Sequence, residues 1–170
     1  EEGELHRRDE FRGRGSEAHA KFYRGKGRIL GVGNTIMPIF MGRLVGGSTT
    51  VNTGTCFRTP PWILDRWCED LATDEFSAAA LAPHFERVER ELRVETARAQ
   101  YLGGVARVVA RGCEELGWKH FPVRRNAPDC DGQGVCDYGC PTDAKRSTNV
   151  SYVPAALGHG AVLVTGARAH

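Results

Sequence analysis

The sequence predicts a protein of the α+β class, and three observations carry that prediction. Apolar residues recur mostly at three- and four-residue steps over residues 76–92 and again over 102–116, which is the period of an amphipathic helix. Short apolar runs over residues 28–32, 35–40 and 161–165 are bounded by glycine and proline, as short strands are. The composition is ordinary for a globular chain, with 41% hydrophobic and 26% charged residues.

The bulk properties exclude several classes of protein. A net charge of +2 gives no argument for a nucleic-acid partner. No apolar run approaches the roughly 18–20 residues that span a bilayer, so we expect no membrane span in this chain. Six cysteines do not make the dense pattern of a small secreted scaffold, which favours a reducing cytoplasm. Because the chain starts with Glu1 rather than methionine, we expect it to be a piece of a longer protein.

The first half of the chain is punctuated by polar and glycine-rich stretches. Residues 1–27 show no clean apolar period, and we expect a polar connector with at most one short helix. Strand-like runs follow from residue 28. Thr59 stands before two prolines and is expected to cap a helix over residues 62–71. Pro83 is expected to interrupt the next helix.

The second half is expected to alternate helix, loop and strand. Gly117 follows the second amphipathic pattern as a C-terminal stop. Residues 121–123 read as a short extended piece, and residues 126–142 as a loop rich in Gly, Asp, Pro and Cys, called the cysteine loop below. Residues 147–157 predict a helix bent by its proline, and residues 161–165 predict a strand.

The segment Gly42–Asn52, called the glycine segment below, and the run just before it match none of three familiar signatures. In the run before it, Gly31-Val-Gly33 begins like a dinucleotide fingerprint, but Ile36 stands where the third glycine belongs and a proline follows. A P-loop would need lysine where Ser48 stands. A nucleophile elbow would need glycine where Thr50 stands. On local chemistry alone, a glycine-rich turn between strands is the simpler interpretation.

The same segment still has the chemistry of a site. Glycines allow the backbone to approach a flat ligand closely, and their amides bind phosphate or ring oxygens. Arg43 adds a positive charge, and short hydroxyl and amide side chains follow it.

Three motifs follow one another along the sequence. The first is Gly42-Arg43-x-x-Gly46-Gly47-Ser48-x-x-x-Asn52, followed by Phe57-Arg58-Thr59-Pro60. The second is Cys136-x-x-Gly139-Cys140-Pro141-x-x-Ala144-Lys145-x-Ser147. The third is Tyr152-x-Pro154-Ala155-Ala156-Leu157 with Gly160-Ala-Val-Leu-Val-Thr-Gly-Ala-Arg168. In this order the motifs resemble the glucose–methanol–choline (GMC) family of flavin oxidoreductases, the second being similar to a segment of a bacterial branch of that family. The resemblance covers about residues 28–170, and an ordered set of motifs is more specific than any one of them.

The resemblance implies a fold and a cofactor. Residues 28–170 would form an incomplete Rossmann-like FAD-binding domain with a mostly helical insert. Some relatives bond FAD to a histidine directly before the asparagine, but here that position is Val51, so a non-covalent FAD is implied. The residues implied to lie along FAD, the last of them beside the adenine, are Arg43, Gly46, Gly47, Ser48, Asn52 and Ala169.

The resemblance also implies parts that this sequence does not show. Family members begin with a strand and a Gly-x-Gly-x-x-Gly turn for the pyrophosphate, and they carry a catalytic histidine near the C-terminus. The histidines of this chain, none in a matching context, are His6, His19, His84, His120, His159 and His170. We therefore assign no catalytic residue and expect little or no activity from the chain alone.

Cys130, Cys136 and Cys140 form the second chemical feature. Three thiolates within eleven residues can ligate iron or zinc, but the spacing is not Cys-x-x-Cys and no fourth ligand is evident. A surface loop with a disulfide, or with free thiols under glycine turns, is the simpler interpretation. The loop also resembles the three-cysteine loop that carries an iron–sulfur cluster in some sugar-oxidising relatives.

Two functional hypotheses follow. In the first, the whole protein is an FAD-dependent alcohol oxidase or dehydrogenase that passes hydride from a carbinol carbon to flavin N5. Its partners are a small-molecule alcohol and an electron acceptor, with oxygen, a quinone and a cytochrome all open. In the alternative, the cysteine loop makes a metal or iron–sulfur electron-transfer module, which predicts metal without flavin.

Overall fold

The computed structural model describes residues 1–169, so His170 lies outside the described residues. In chain order the helices and strands are α1 (Gly15–Phe22), β1 (Leu30–Val32), β2 (Ile36–Pro38), α2 (Pro61–Leu71), α3 (Ala78–Glu91), β3 (Glu95–Thr96), α4 (Gly104–Glu115), β4 (Arg124–Arg125) and α5 (Tyr152–Gly158). β1 pairs with β2, and β3 pairs with β4, each as an antiparallel ladder. This mixture of helices and small sheets is compatible with the predicted α+β class.

The chain divides into two compact units. The first comprises Glu1–Gly54 together with the segment from Ala127 onward, and the second comprises Thr55–Asn126. The first unit contains the glycine segment and all three cysteines of the cysteine loop. The second contains α2, α3 and α4 and is mostly helical. Across the described residues, no helix combines the length and apolar character needed to cross a membrane.

The core of the first unit is built largely by its first 27 residues. Its buried side chains, with Tyr138 packed against them, are Phe11, Ala18, Phe22, Tyr23, Leu44 and Val51. Ala18 and Phe22 lie one turn apart on α1 and share a face. The rings of Phe11 and Phe22 meet edge-on with centroids 5.1 Å apart. Residues 1–27, predicted as a polar connector, thus supply four of these six core residues. Their apolar side chains are too few and too widely separated by charges to show a period.

The helix starts of the second unit differ in detail from the prediction. α2 begins at Pro61 with Pro60 as its N-cap and no capping side chain, so the predicted cap at Thr59 is wrong. Ser77 caps α3, its Oγ accepting the Ala80 N–H at 3.2 Å. α3 then continues through Pro83 to Glu91 without a break. One missing N–H near the start of a long helix removes a single hydrogen bond and is tolerated here.

An exposed ion-pair cluster lies in the second unit, beside the β3–β4 sheet. The Glu89 carboxylate accepts two hydrogen bonds from Arg58, both 2.9 Å, and two from Arg124, at 2.8 and 3.2 Å. The hydrogen bonds from Arg58, followed by those from Arg124, lower the pKa of Glu89 to about 2. Glu89 thereby links α3 to the residues on either side of it in sequence.

The end of the chain is less regular than predicted. α5 begins at Tyr152 rather than at residue 147, because Pro154 lacks an N–H and fits only the first turn of a helix. Residues 161–165 form no strand in the described chain. This segment instead meets the first residues of the chain irregularly, with the Glu1 nitrogen donating to the Val164 carbonyl at 3.0 Å. A β-strand needs a regular ladder of hydrogen bonds to a neighbouring strand, and the hydrogen bonds to the first residues of the chain do not form such a ladder.

Candidate cofactor site

The glycine segment folds into a tight turn. Gly47–Thr49 forms a short 3-10 helix, and Gly46 before it has a φ of +92°, a left-handed conformation that suits glycine. A Cβ atom on Gly46 would lie 2.9 Å from the backbone nitrogen of Asn149, so the protein's own packing requires this glycine. Gly47 is also left-handed, with a φ of +53°, but a Cβ there would meet nothing within 4 Å. Gly47 is therefore the member of the pair whose backbone is open to a ligand.

A network of short polar side chains fastens the glycine segment to residues 147–149. The hydroxyls of Thr49 and Thr148 lie 2.9 Å apart. Thr50 donates to the Asn149 side-chain oxygen at 3.2 Å, and Ser147 donates to the same oxygen at 2.6 Å. Thr50 and Ser147 are buried, so these bonds satisfy groups that water does not reach. The two polar runs of the sequence thus hold each other in place.

Lys145 provides a second connection between the same parts of the chain. Its side chain is almost completely buried, with 1% exposed. Its ammonium donates to the carbonyls of Thr50 at 2.9 Å, Asn52 at 2.5 Å and Cys136 at 2.9 Å. An ammonium has three N–H donors, and here three carbonyls accept from it. Lys145 therefore joins the end of the glycine segment to the cysteine loop.

Tyr23 makes a parallel connection without a charge. Its hydroxyl lies 3.0 Å from the carbonyl of Val51 and 2.6 Å from that of Asp137, and its one proton is shared between them. Burial raises the pKa of Tyr23 to about 12, with the nearby Asp137 charge adding to the shift. The hydroxyl is therefore protonated and serves as a donor at neutral pH.

An open groove of about 510 Å³ lies against the glycine segment. One group of its lining residues is aromatic: His19, Tyr23, Phe40 and Tyr138. The other lining residues are Ser48, Val51, Asn52, Thr53 and Asp137. Aromatic side chains beside polar backbone and hydroxyls suit a flat ligand with a hydrogen-bonding edge. Two of the residues predicted from the sequence, Ser48 and Asn52, therefore line one groove.

Arg43 belongs to a different cluster of the first unit. The Glu2 carboxylate lies 2.7 Å from Arg24, 3.9 Å from Arg168 and 4.0 Å from Arg43. The hydrogen bond from Arg24 is the largest cause that lowers the pKa of Glu2. Arg43 is thus brought near the segment that carries Ala169, which is exposed. Three guanidinium groups around one carboxylate leave an excess of positive charge that suits an anionic ligand.

The three cysteines of the cysteine loop all line one very small cavity of about 10 Å³. All six cysteines are thiols, with no disulfide among residues 1–169, so of the two simpler interpretations of the loop the structure agrees with free thiols and not with a disulfide. Within the same residues, no group of three or more His, Cys, Asp or Glu side chains is arranged to hold a metal ion. The metal and iron–sulfur interpretation therefore gains no support from the structure.

The sequence left several residues of this region without a role. His19 and Phe40 lie on the aromatic side of the groove, with ring centroids 5.7 Å apart, and Tyr138 lies 6.0 Å from His19. Phe40 ends an apolar run predicted as a strand, and His19 and Tyr138 belong to no period or motif, so nothing in the sequence marks these three as groove residues. Lys145 appears in the sequence only as one position of a motif. A lysine between Ala144 and Arg146 gives no sign in the sequence of being buried.

The family of the chain follows from comparison with known proteins. The model of the GMC oxidoreductase family matches residues 19–170, which is nearly the whole chain. The chain belongs to the GMC oxidoreductase family, as the ordered motifs predicted.

Individual relatives agree with this assignment. A GMC-type oxidoreductase of Mycobacterium tuberculosis is 34% identical over 99% of this chain, and the match covers 27% of that protein. A long-chain-alcohol oxidase of Arabidopsis thaliana, FAO3, is 31% identical over 88% of this chain and 20% of its own length. A GMC-type oxidoreductase of Sinorhizobium fredii is 30% identical over 90% of the chain and 30% of its own length. The chain thus spans about a quarter of such relatives. No solved structure matches it significantly.

Proposed function

We propose that the whole protein is an FAD-dependent oxidoreductase that acts on the CH–OH group of an alcohol. In this proposal the described chain supplies one wall of a non-covalent FAD site. The observation that carries the proposal is the open backbone of Gly47 in a turn whose Ser48 and Asn52 line a groove. Membership of the GMC family supplies the identity of the cofactor.

The residues of the first unit fit a flavin. The groove volume of about 510 Å³ lies within the roughly 300–1,000 Å³ of small-molecule sites. Its aromatic residues can face a planar ring system, and Ser48 and Asn52 are exposed side chains that can bond its polar edge. Val51 offers only hydrocarbon, so it has no nucleophile for a covalent link.

A second set of residues suits the remainder of FAD. The arginines around Glu2 provide positive charge for a pyrophosphate, and Arg43 among them has a side chain that is 47% exposed. Ala169, next to Arg168, would place its backbone beside the adenine. These assignments extend the site along the same unit, and with Gly47, Ser48 and Asn52 they give a place to five of the six residues predicted to meet FAD. The sixth, Gly46, is required by the packing of the turn.

When bound, FAD supplies the hydride acceptor for alcohol oxidation. The residues of this chain bind and orient it: Gly47 by close backbone approach, and Ser48 and Asn52 by hydrogen bonds. No residue of the described chain is assigned as the base that takes the alcohol proton. The fold proposed for these parts within the whole protein is the Rossmann-like domain of GMC type.

The substrate proposal stays at the level of an alcohol. Several relatives are named long-chain-alcohol oxidases, which makes long-chain alcohols the first substrates to try. Oxygen, a quinone and a cytochrome remain the alternatives for the electron acceptor. No observation in the described residues favours the alternative of a metal module over a flavoenzyme.

The test is spectroscopic and uses the full-length protein. Purified and reconstituted with FAD, it is expected to be yellow, and its flavin absorbance should bleach when alcohols of increasing chain length are added without oxygen. A protein that retains no flavin after reconstitution would contradict the proposal.

A matched pair of variants locates the site. Gly47→Ala places a methyl group in the open space of the turn and is expected to weaken FAD binding at least about tenfold, or roughly 1.4 kcal/mol. Gly117→Ala is the control, because Gly117 also has a left-handed φ, +67°, and open space around it, but lies in the second unit. Equal FAD affinity of the two variants would remove the glycine segment from the site.

A further inference from the structure

We propose that Lys145 is a positioning residue that places a fixed positive charge behind the flavin-facing wall of the groove and raises the reduction potential of the cofactor. The inference rests on the proposed function, because it concerns the FAD that the groove would hold. It goes beyond it by giving a redox role to a residue that does not line the groove.

The first argument is the completeness of the Lys145 contacts. The side chain is 1% exposed, and its ammonium donates to carbonyls of Thr50, Asn52 and Cys136 at 2.5–2.9 Å. Burial of an ammonium is costly unless its donors are satisfied. Three acceptors match the three N–H groups of the charged form, whereas a neutral amine has only two. The geometry is therefore built for a charged lysine.

The second argument is position. Asn52, whose carbonyl accepts from the ammonium, is itself a lining residue of the groove, and Asp137, which follows Cys136, is another. The ammonium thus contacts the backbone of one lining residue and of the residue before another. Because the site is buried, solvent and salt screen this charge much less than they screen a surface lysine.

The third argument is a comparison with Tyr23, which also hydrogen-bonds both to the end of the glycine segment and to the cysteine loop. Its hydroxyl lies within hydrogen-bond distance of the carbonyls of Val51 and Asp137, the neighbours of the carbonyls that Lys145 binds. If Lys145 served only to hold the backbone in place, a neutral hydrogen-bond donor like Tyr23 would be sufficient at position 145. The difference between the two residues is the charge, and charge is what acts on a redox cofactor at a distance.

The consequence follows from the charges of the two flavin states. Reduction of a bound flavin adds negative charge to the ring system, so a fixed cation nearby stabilises the reduced form relative to the oxidised form. A higher potential favours acceptance of hydride from an alcohol. Lys145 would therefore act through electrostatics and through the position of Thr50–Asn52, without touching substrate.

The experiment measures the potential of the full-length holoprotein against a reference dye, together with its FAD dissociation constant. Lys145→Met is expected to shift the flavin–dye equilibrium at least about tenfold toward oxidised flavin, which is about 30 mV for a two-electron couple. Lys145→Arg keeps the charge. It is expected to shift the equilibrium less than about threefold, or roughly 15 mV.

The outcomes are separable. Lys145→Met that binds FAD with an unchanged potential overturns the inference, and so does Lys145→Arg that shifts the potential as much as Lys145→Met. If Lys145→Met fails to fold, Lys145→Gln, which keeps N–H donors but no charge, is measured in its place against the same thresholds. A wild-type protein without FAD contradicts the proposed function itself, which is a different result from a flavoprotein whose potential ignores residue 145.

Discussion

Each of the two units of the chain is stabilised by a different kind of internal contact. The first unit depends on buried polar groups that join residues far apart in sequence, such as Lys145 with Thr50 and Tyr23 with Asp137. The second unit consists of regular helices with a capping serine and the exposed cluster around Glu89. Its α4 carries apolar side chains that remain exposed, Val105 at 80% among them.

The unit whose structure is easier to predict from the sequence is therefore not the unit that carries the candidate site. The second unit is periodic, and the residues that make it a helical unit carry no candidate site. The first unit has little periodicity, and its groove, glycine turn and buried lysine all depend on long-range contacts. We therefore expect substitutions in the first unit to affect stability and cofactor binding together, and substitutions in the second unit to affect stability slightly and cofactor binding not at all.

The largest effect is expected from Gly46→Ala. The new methyl group would approach the Asn149 nitrogen to 2.9 Å, and the residue would keep a left-handed φ of +92°. Backbone strain of about 1–2 kcal/mol and overpacking of about 1–3 kcal/mol together predict a loss of about 3 kcal/mol in unfolding free energy. Denaturant titration of the full-length protein measures it. Gly47→Ala, with strain but no clash, should lose clearly less. Equal losses would mean that Gly46 is not a packing residue.

The next effect is expected from Tyr23→Phe. Removal of the hydroxyl leaves the carbonyls of Val51 and Asp137 with one donor fewer in a buried place and should cost about 1–2 kcal/mol of unfolding free energy. Tyr101→Phe is the control, because Tyr101 is 42% exposed in the second unit and should change stability by less than about 0.5 kcal/mol. A loss at Tyr101 as large as that at Tyr23 would weaken the contrast between the units.

The sequence predicts the second unit better for a physical reason. The helix α4 and its stop at Gly117 follow from local spacing, which the sequence shows directly. The predicted N-cap of α2 is wrong because Thr59 and the prolines that follow it are all residues that favour the start of a helix. The antiparallel pair β1–β2 was also expected as two extended runs, although its register depends on pairing that no local pattern specifies.

The site was predictable only where a motif marks it. Ser48 and Asn52 were named from the glycine segment and do line the groove, whereas their roles toward FAD remain predictions. His19 reaches the groove through the fold of residues that were predicted as a connector, whereas Phe40 ends a run predicted as a strand. Lys145 is buried because of carbonyls more than ninety residues earlier, and such separation leaves no trace in local sequence.

One carboxylate in each unit, Glu10 in the first and Glu89 in the second, is expected to make the stability of the protein depend on acid pH. Hydrogen bonds lower the pKa of Glu10, mainly from Lys21, and that of Glu89, mainly from Arg58, each from 4.5 to about 2. Because the folded pKa is the lower one, each contribution is present above about pH 4.5 and is lost as pH falls from 4.5 toward 2. Their charged partners are more than one-third exposed, so screening limits each contribution to about 1 kcal/mol.

The measurement is unfolding free energy between pH 5 and pH 2.5 for Glu10→Gln and Glu89→Gln. Each variant should be less stable than wild type at pH 5 and approach it at low pH. A Glu89→Gln protein with wild-type acid sensitivity would remove the ion-pair cluster from the account of the second unit. FAD retention at pH 5 should be unchanged by Glu89→Gln, because that cluster lies outside the unit that carries the groove.

The smallest effect is expected from His19→Phe. His19 packs its ring against Tyr23 and Phe40, with centroids 4.9 and 5.7 Å away, so an aromatic replacement preserves the wall of the groove. FAD affinity should stay within about threefold, or roughly 0.7 kcal/mol, whereas His19→Ala opens the wall and should weaken binding more. Fluorescence titration of the apoprotein with FAD compares the two. A loss with phenylalanine as large as with alanine would show that the imidazole nitrogens, rather than the ring surface, bind the cofactor, and would make His19 a polar contact that the sequence concealed.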